Sequence, residues 1–231
     1  MALRAGDRRL RSGDAEAVHS TRVAIRRFRS TLRTFAPMFD RDAAADLSAR
    51  IQSYAALLGG VRDLQVLDGV IGAHSSGELH AHLSPQLAAE QGAAWEQLEV
   101  ALERPEHAGL LDDVDAFLLG PGTGRGRPAR RAKKASAIAA RKLAHAGDDA
   151  DRLHAARKAA KRARYAAEAI GDKATAKRWE EVQDHLGTHH DCVVAEAWAS
   201  GSSAHAELPG LQSRLRASAE AALGRARSGG S

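Results

Sequence analysis

Two stretches of the sequence each combine a histidine with basic residues at helical spacing. Residues 18–32 read VHSTRVAIRRFRSTL, and residues 153–167 read LHAARKAAKRARYAA. At about 100° per residue on a helix, the basic side chains fall with the histidine on one narrow stripe. The first stripe extends geometrically to residue 33. The stripe residues are His19, Arg22, Arg26, Arg29 and Arg33 in the first stretch, and His154, Arg157, Lys161 and Arg164 in the second.

Neither stripe contains an acidic residue. Like charges at i, i+3 and i+4 repel by about 0.2–0.5 kcal/mol per pair, so such a stripe costs stability unless it serves a function. Arginine offers a fork that matches phosphate oxygens, and lysine acts as a point charge. The histidine could donate a hydrogen bond to an anionic oxygen or pack within a helical bundle, and both roles stay open. The pattern favours polyanion binding over the alternative, solvated helix faces.

Charge is segregated along the chain. Residues 1–36 hold nine arginines and three acids, and residues 125–164 hold 14 basic residues and three acids. These two stretches carry a net +17 although the whole chain carries +5, so the remainder is strongly acidic. Such segregation creates a local field that attracts polyanions. Further residues predicted to extend the anion-binding surface are Arg130, Lys134 and Arg141, which share one helical face, and Lys158 beside the second stripe.

Composition predicts an all-α protein. The chain has 231 residues, of which 50 are Ala, whereas Val and Ile together number 15. Strong helix formers dominate and β-formers are scarce, which argues against all-β and parallel α/β folds. The lone Cys192 excludes a disulfide scaffold. No apolar run approaches the ~20 residues of a membrane span, and no signal peptide is recognised, so we expect a reducing, cytoplasmic compartment and no membrane contact.

Glycines and prolines divide the predicted helices. Nine helices are expected, near residues 14–35, 40–58, 80–103, 106–119, 130–145, 149–170, 172–186, 190–199 and 211–226. Gly59-Gly60 is predicted to stop the second of them, and a helix through Gly187 is not expected. A Gly/Pro linker at 120–128 separates a first helical repeat, 1–119, from a second, 129–227. The apolar face of the helix predicted near residues 14–35 is expected to comprise Val18, Ile25, Phe28, Leu32 and Phe35.

A second pair of matching motifs follows the two stripes. LGGVRD at 58–63 aligns with LGTHHD at 186–191. Two ordered matches at similar separation indicate an internal duplication and a pseudo-symmetric helical fold. At one matched position the first repeat has Arg62 and the second has His190.

These motifs resemble the CHAD domain, the conserved histidine α-helical domain, over nearly the whole chain. The resemblance implies a single all-α domain over 1–231, made of two four-helix bundles related by a pseudo-twofold axis with a basic central groove or pore. It implies non-catalytic binding of inorganic polyphosphate, a long-chain polyanion, through the stripe residues. It also implies association with a fused or separate CYTH-type domain in some members, and localisation of some members to polyphosphate granules. Because the two repeats differ at Arg62 and His190, neither residue is predicted as a ligand.

Two alternatives stay open. The chain could be a general polyanion-binding or nucleic-acid-binding helical protein, although it has few aromatic residues to stack on bases. It could also be an accessory domain of a phosphate-metabolising enzyme. His185, His189 and His190 resemble metal ligands, but we expect polar residues at a helix junction instead. No P-loop or nucleophile elbow is present, so we expect no catalytic residue, cofactor or metal.

Overall fold

The computed structural model describes residues 2–120, 126–202 and 205–229. Within these ranges the chain forms nine α-helices, one short 3-10 segment at Ala36–Met38 and no β-strand, which confirms the predicted all-α class. The helices are α1 (Ala2–Arg11), α2 (Ala17–Thr34), α3 (Arg41–His74), α4 (Gly77–Leu102), α5 (Pro105–Leu119), α6 (Pro128–Ala144), α7 (Ala150–Ala169), α8 (Lys173–Ser200) and α9 (Leu208–Gly229). Across the described ranges, none of them has the combination of length and apolar character needed to cross a membrane.

The apolar face predicted for α2 is confirmed. Val18, Ile25 and Leu32 are buried. Phe28 is partly buried and packs edge-to-face on Phe117 of α5, with 6.2 Å between the ring centroids. Burying this face supplies the free energy that holds the helix, because most helical stability in proteins comes from packing rather than from propensity.

Two predicted helix breaks are wrong. α3 continues through Gly59-Gly60 to His74, and α8 continues through Gly187 to Ser200. Glycine costs a helix about 1 kcal/mol relative to alanine. Here the apolar residues beside the glycines, Leu58 and Leu186, are buried, and their packing outweighs that cost.

The segment that joins α5 to α6 includes residues 121–125, which lie outside the described residues. α5 ends at Leu119, and Pro128 occupies the first turn of α6, where its missing N–H leaves no helical bond unmade. The sequence predicts Asp148 or Asp149 as the cap of α7, and the structure selects Asp149, whose carboxylate accepts a hydrogen bond from the backbone N–H of Arg152 at 2.8 Å.

The chain divides into two compact units. Unit 1 comprises the described residues of Met1–Gln65 and Leu87–Gly126, and unit 2 those of Val66–Gln86 and Arg127–Ser231. The end of α3 and the start of α4 therefore belong to unit 2, although they lie in the first half of the sequence. The carbonyl oxygen of His74, at the end of α3, accepts a hydrogen bond from Nε of Arg214 in α9 at 2.6 Å.

The core of unit 2 is built largely from alanine. α7 buries a row of small residues that allow neighbouring helices to approach closely: Ala156, Ala159, Ala160, Ala163, Ala166 and Ala167. Trp179 of α8 fills the space beside them, and its indole N–H donates to the Ser136 hydroxyl of α6 at 2.5 Å. Cys192 is buried, as expected for a small apolar side chain.

The first helix was not predicted from the sequence. α1 buries Leu3 and Leu10, and between them it buries Asp7, whose carboxylate lies 2.6 Å from Nε2 of His107 in α5. An aspartate at a core position hides the apolar spacing that would otherwise reveal an amphipathic helix. A charged sequence therefore forms a helix here because α5 supplies a partner for the buried charge.

Gly6 allows α1 to approach α2. A methyl group at this position would collide with the side chain of Thr21, which is buried in α2. We predict that Gly6→Ala lowers the free energy of unfolding by about 1–3 kcal/mol, the usual cost of overpacking. The measurement is urea unfolding followed by circular dichroism.

Gly92→Ala is the matched control, because Gly92 lies within α4 and a methyl group there meets no atom of the described residues within 4 Å. It should raise the free energy of unfolding by about 0.5–1 kcal/mol. Equal stabilisation by both substitutions would show that α1 does not pack closely on α2.

Candidate functional site: two cationic clusters

The first cationic cluster lies in unit 1, where α2 packs beside α3. Nη2 of Arg22 pairs with Oδ1 of Asp63 at 3.1 Å. The guanidinium of Arg22 lies close to the α3 backbone at Gly59. A Cβ added to Gly59 would come within 2.7 Å of Nη1 of Arg22. Gly59 and Asp63 are one helical turn apart on α3, so one face of that helix provides both the space and the partner for the arginine.

Cations converge on His19 in this cluster. The pKa of His19 is held below its usual value by partial burial and then by the charges of Arg62, Arg26 and Arg22. Positive neighbours disfavour the protonated ring. The structure therefore brings together the first three predicted stripe residues and adds Arg62 from α3, which was not predicted as a ligand. We call His19, Arg22, Arg26 and Arg62 the first cluster.

The stripe continues along α2 beyond the first cluster. The side chain of Arg26 is half-buried, and within the described part of the chain its Nε has no hydrogen-bond partner. Nη2 of Arg29 donates to Oε1 of Gln52 at 2.8 Å. Burial and then the charge of exposed Arg33 lower the pKa of Arg29. The predicted cations thus remain close enough to affect one another electrostatically.

The second cationic cluster lies in unit 2, between α7 and α8. Nη2 of Arg157 lies 3.7 Å from Oδ1 of Asp191 and 3.9 Å from the position that a Cβ on Gly187 would take. The rings of His154 and His190 have their centroids 6.0 Å apart. This arrangement repeats that of the first cluster. In both, an arginine one turn after a histidine lies beside a glycine and pairs with an aspartate of the next helix.

Further cations and histidines surround this second cluster. Burial lowers the pKa of His154, and the charges of Lys158, Arg157 and Lys161 lower it further, whereas that of Asp151 raises it. A cavity of about 60 Å³ opens at the cluster. It is lined by Ala150, Leu153, His154, Arg157, Leu186, His189, His190 and Val193. We call His154, Arg157, Lys158, Lys161 and His190 the second cluster.

Arg164 occupies a different environment from the other stripe residues. Its Nε donates to Oε1 of Glu168 at 2.9 Å, and its Nη2 pairs with Oε1 of Glu180 on α8 at 2.6 Å. The side chain is only 15% exposed, and its guanidinium carbon lies 5.7 Å from the centre of the Tyr165 ring. These contacts tie α7 to α8, which is a structural role.

The predicted cations of α6 lie on its exposed side. Arg130, Lys134 and Arg141 are exposed, on the side of α6 opposite its buried alanines. Arg141 lines a separate cavity of about 710 Å³, together with Asp148 and Arg227. Arg141 therefore lines a different cavity from the one that His154 and Arg157 line.

Two residues absent from the predicted site, Arg62 and His190, belong to the clusters. The signal was present in the aligned LGGVRD and LGTHHD motifs, where both residues directly precede the paired aspartate. Within the described ranges, no group of three His, Cys, Asp or Glu side chains is placed to hold a metal ion. His189 instead lies with its Nδ1 3.1 Å from the Ala219 carbonyl oxygen of α9.

Comparison with known proteins gives consistent matches. The CHAD domain family model matches residues 1–200. Two uncharacterised Mycobacterium tuberculosis proteins, from strains CDC 1551 / Oshkosh and H37Rv, are each 31% identical over 216 residues, covering 82% of this chain and 41% of theirs. The chain thus spans about two fifths of the length of these curated relatives.

Two solved structures share the fold. PptA from Streptomyces chartreusis superposes with a TM-score of 0.80 at 20% identity, covering 99% of this chain and 96% of that one. The CHAD domain from the plant Ricinus communis gives a TM-score of 0.64 at 24% identity, covering 98% and 81%. At these identities the likeness concerns the fold alone.

Arg164→Met should lower the free energy of unfolding by about 1–3 kcal/mol, because it removes charge-assisted hydrogen bonds and leaves Glu168 and Glu180 without them. Arg152→Met is the matched control on the exposed surface of α7 and should change it by less than about 0.5 kcal/mol. Urea unfolding measures both. Equal effects of the two substitutions would contradict the structural role of Arg164.

The lowered pKa values of His19 and His154 predict a pH dependence of stability. Each histidine has a lower pKa in the folded chain than in the unfolded chain, so the unfolded chain binds more protons between the two values. Their contribution to the free energy of unfolding is therefore highest above pH 6.5 and decreases as the pH falls below 6.5. A His19→Gln/His154→Gln variant should therefore lose less stability than the wild type between pH 7.5 and 5. Urea unfolding across this range is the measurement, with His145→Gln as a control for a histidine outside both clusters. An unchanged slope in the double variant would refute the prediction.

Proposed function

The chain belongs to the CHAD domain family, and we propose that it is a non-catalytic module that binds inorganic polyphosphate through its two cationic clusters. The observation that carries this proposal is the repeated construction of the clusters. In each unit an arginine is held by an aspartate of the next helix, beside a histidine whose pKa is lowered first by burial and then by surrounding cations. Beyond the effect of burial, the charges that act on each ring are mostly positive, which disfavours the protonated imidazole.

The shape of the first stripe suits a linear polyanion. From His19 to Arg33 it follows α2 for 14 residues, or about 21 Å at 1.5 Å per residue. A single phosphate would use only one end of such a stripe. Linear polyphosphate carries roughly one charge per phosphate and has no base or sugar to recognise, so guanidinium forks and ammonium groups are the chemistry it requires.

The pseudo-twofold relation and the central groove that the resemblance implies stay predictions. We extend the proposal to localisation: binding of this kind would recruit the chain to polyphosphate granules. Because the Mycobacterium tuberculosis relatives are more than twice as long, a role as the accessory domain of a phosphate-metabolising enzyme is a second candidate function. In that role the clusters would hold the polymer for chemistry performed elsewhere, on a fused or separate CYTH-type domain.

The proposal is tested by titrating long-chain polyphosphate into the wild type and into an Arg22→Ala/Arg26→Ala/Arg157→Ala/Lys161→Ala variant. At about 1 kcal/mol for each cation near an anionic surface, the variant should bind about two to three orders of magnitude more weakly. The matched control removes four exposed cations outside both clusters, two from each unit: Arg41, Arg104, Lys173 and Lys177. Both variants lose the same net charge, so a loss confined to the first identifies the clusters as the site.

Salt dependence and competition complete this test. Binding should release counterions, so the logarithm of the affinity should fall linearly with the logarithm of the salt concentration, by analogy with single strands at about 0.7 per phosphate neutralised. Single-stranded RNA should displace polyphosphate poorly. Equal competition by RNA would favour the general polyanion or nucleic-acid reading. A folded cluster variant that binds as tightly as the wild type would refute the proposed site.

A further inference from the structure

We propose that Arg62 and His190 are further phosphate-binding residues, and that their difference makes binding by the second cluster depend on proton uptake at His190. This inference rests on the proposed function. The first cluster carries a permanent charge at this position, whereas the second carries one only when the imidazole is protonated. The second site would then gain one more positive charge than the first as the pH falls.

The two residues occupy equivalent places. Arg62 lies three residues after Gly59 and directly before Asp63, and His190 lies three residues after Gly187 and directly before Asp191. Each therefore stands on the helix that also provides the aspartate for the cluster arginine. Each also faces the histidine of the other helix. The charge of Arg62 acts on His19, and the ring of His190 lies 6.0 Å from the ring of His154.

His190 lies in a mostly positive setting. The titratable and charged groups that α7 presents to this cluster are His154, Arg157, Lys158, Lys161 and Asp151. α8 itself contributes His189 and Asp191. From α9 the Ala219 carbonyl oxygen meets His189. Without an anion, Arg157, Lys158 and Lys161 oppose a further positive charge on His190, whereas Asp191 and Asp151 favour it.

A bound phosphate reverses this balance. The negative charge of the ligand favours protonated imidazole, so the anion and the proton should bind cooperatively. Affinity then rises as the pH falls, by up to one decade per pH unit for each proton taken up. His19 and His154 contribute to such uptake in both clusters. The exchange of Arg62 for His190 is therefore the difference between the clusters that changes their response to pH.

The experiment exchanges the residues between the clusters. Affinity for long-chain polyphosphate is measured from pH 5.5 to 7.5 at constant ionic strength for the wild type, His190→Arg, Arg62→His and His190→Gln. A long-chain probe is chosen because its internal phosphates keep one charge each across this range. Calorimetric titration in two buffers with different ionisation enthalpies gives the number of protons taken up, independently of the affinity.

His190→Arg should bind more tightly than the wild type at pH 7.5 and should show a shallower slope of log affinity against pH, by up to one unit. Arg62→His should bind more weakly at pH 7.5 and show a steeper slope by a similar amount. His190→Gln should share the shallower slope but lack the gain at pH 7.5, because it adds no charge. The number of protons taken up on binding should fall in His190→Arg and His190→Gln and rise in Arg62→His.

The outcomes separate this inference from the proposed function. Wild-type binding with slopes and proton uptake that are equal in all four proteins would overturn the inference and leave polyphosphate binding intact. Failure of the wild type to bind at any pH would refute the proposed function and the inference together. Thermal unfolding of each variant checks folding. If the larger arginine prevents folding, His190→Gln decides the question through its slope.

Discussion

The position of the key arginine on α2 depends on an aspartate and a glycine of the neighbouring helix α3. Arg22 is fixed by Asp63 of α3 and lies close to Gly59, where a side chain would obstruct it. A glycine and an aspartate spaced by one turn make a seat for a guanidinium, and the seat exists only while α2 and α3 are packed together. Gly187 and Asp191 repeat the seat for Arg157 at somewhat longer distances. The geometry of each cluster therefore depends on helix docking and not on local sequence alone.

In each cluster one aspartate pairs with one arginine, and the cluster as a whole contains more cations than carboxylates. Asp63 offsets the charge of Arg22, yet the pKa of His19 is lowered by burial and, in addition, by the charges of Arg62, Arg26 and Arg22. Arg164 shows the opposite balance, because two glutamates enclose it. Charge count on a helix face therefore does not by itself distinguish a binding residue from a structural one. The carboxylates that pair with each arginine, on its own helix and on the next, must be known as well.

The elements that could be predicted from the sequence were those governed by local patterns. The apolar and cationic faces of α2 and the cap at Asp149 follow from spacing and residue type. The continuity of α3 and α8 through glycine did not, because a glycine stops a helix or admits a neighbour depending on tertiary packing. α1 was missed because its buried Asp7 resembles a surface residue until His107 is known to lie beside it. Arg62 and His190 were visible in the aligned motifs but were set aside because they differ in chemistry.

The assignment of residues 66–86 to unit 2 has a consequence for synthesis of the chain. Leu67, Ile71, Leu79 and Leu83 are buried there. They leave the ribosome roughly 130 residues before Arg214 of α9, which donates a hydrogen bond to the end of α3, and at about 5–20 residues per second this is a delay of roughly 7–26 s. During that interval the helical hairpin formed by the end of α3 and the start of α4 exposes its apolar side chains to water. Unit 2 therefore cannot complete its fold from the second half of the chain alone, because it waits for α9 while it already holds a segment from the first half.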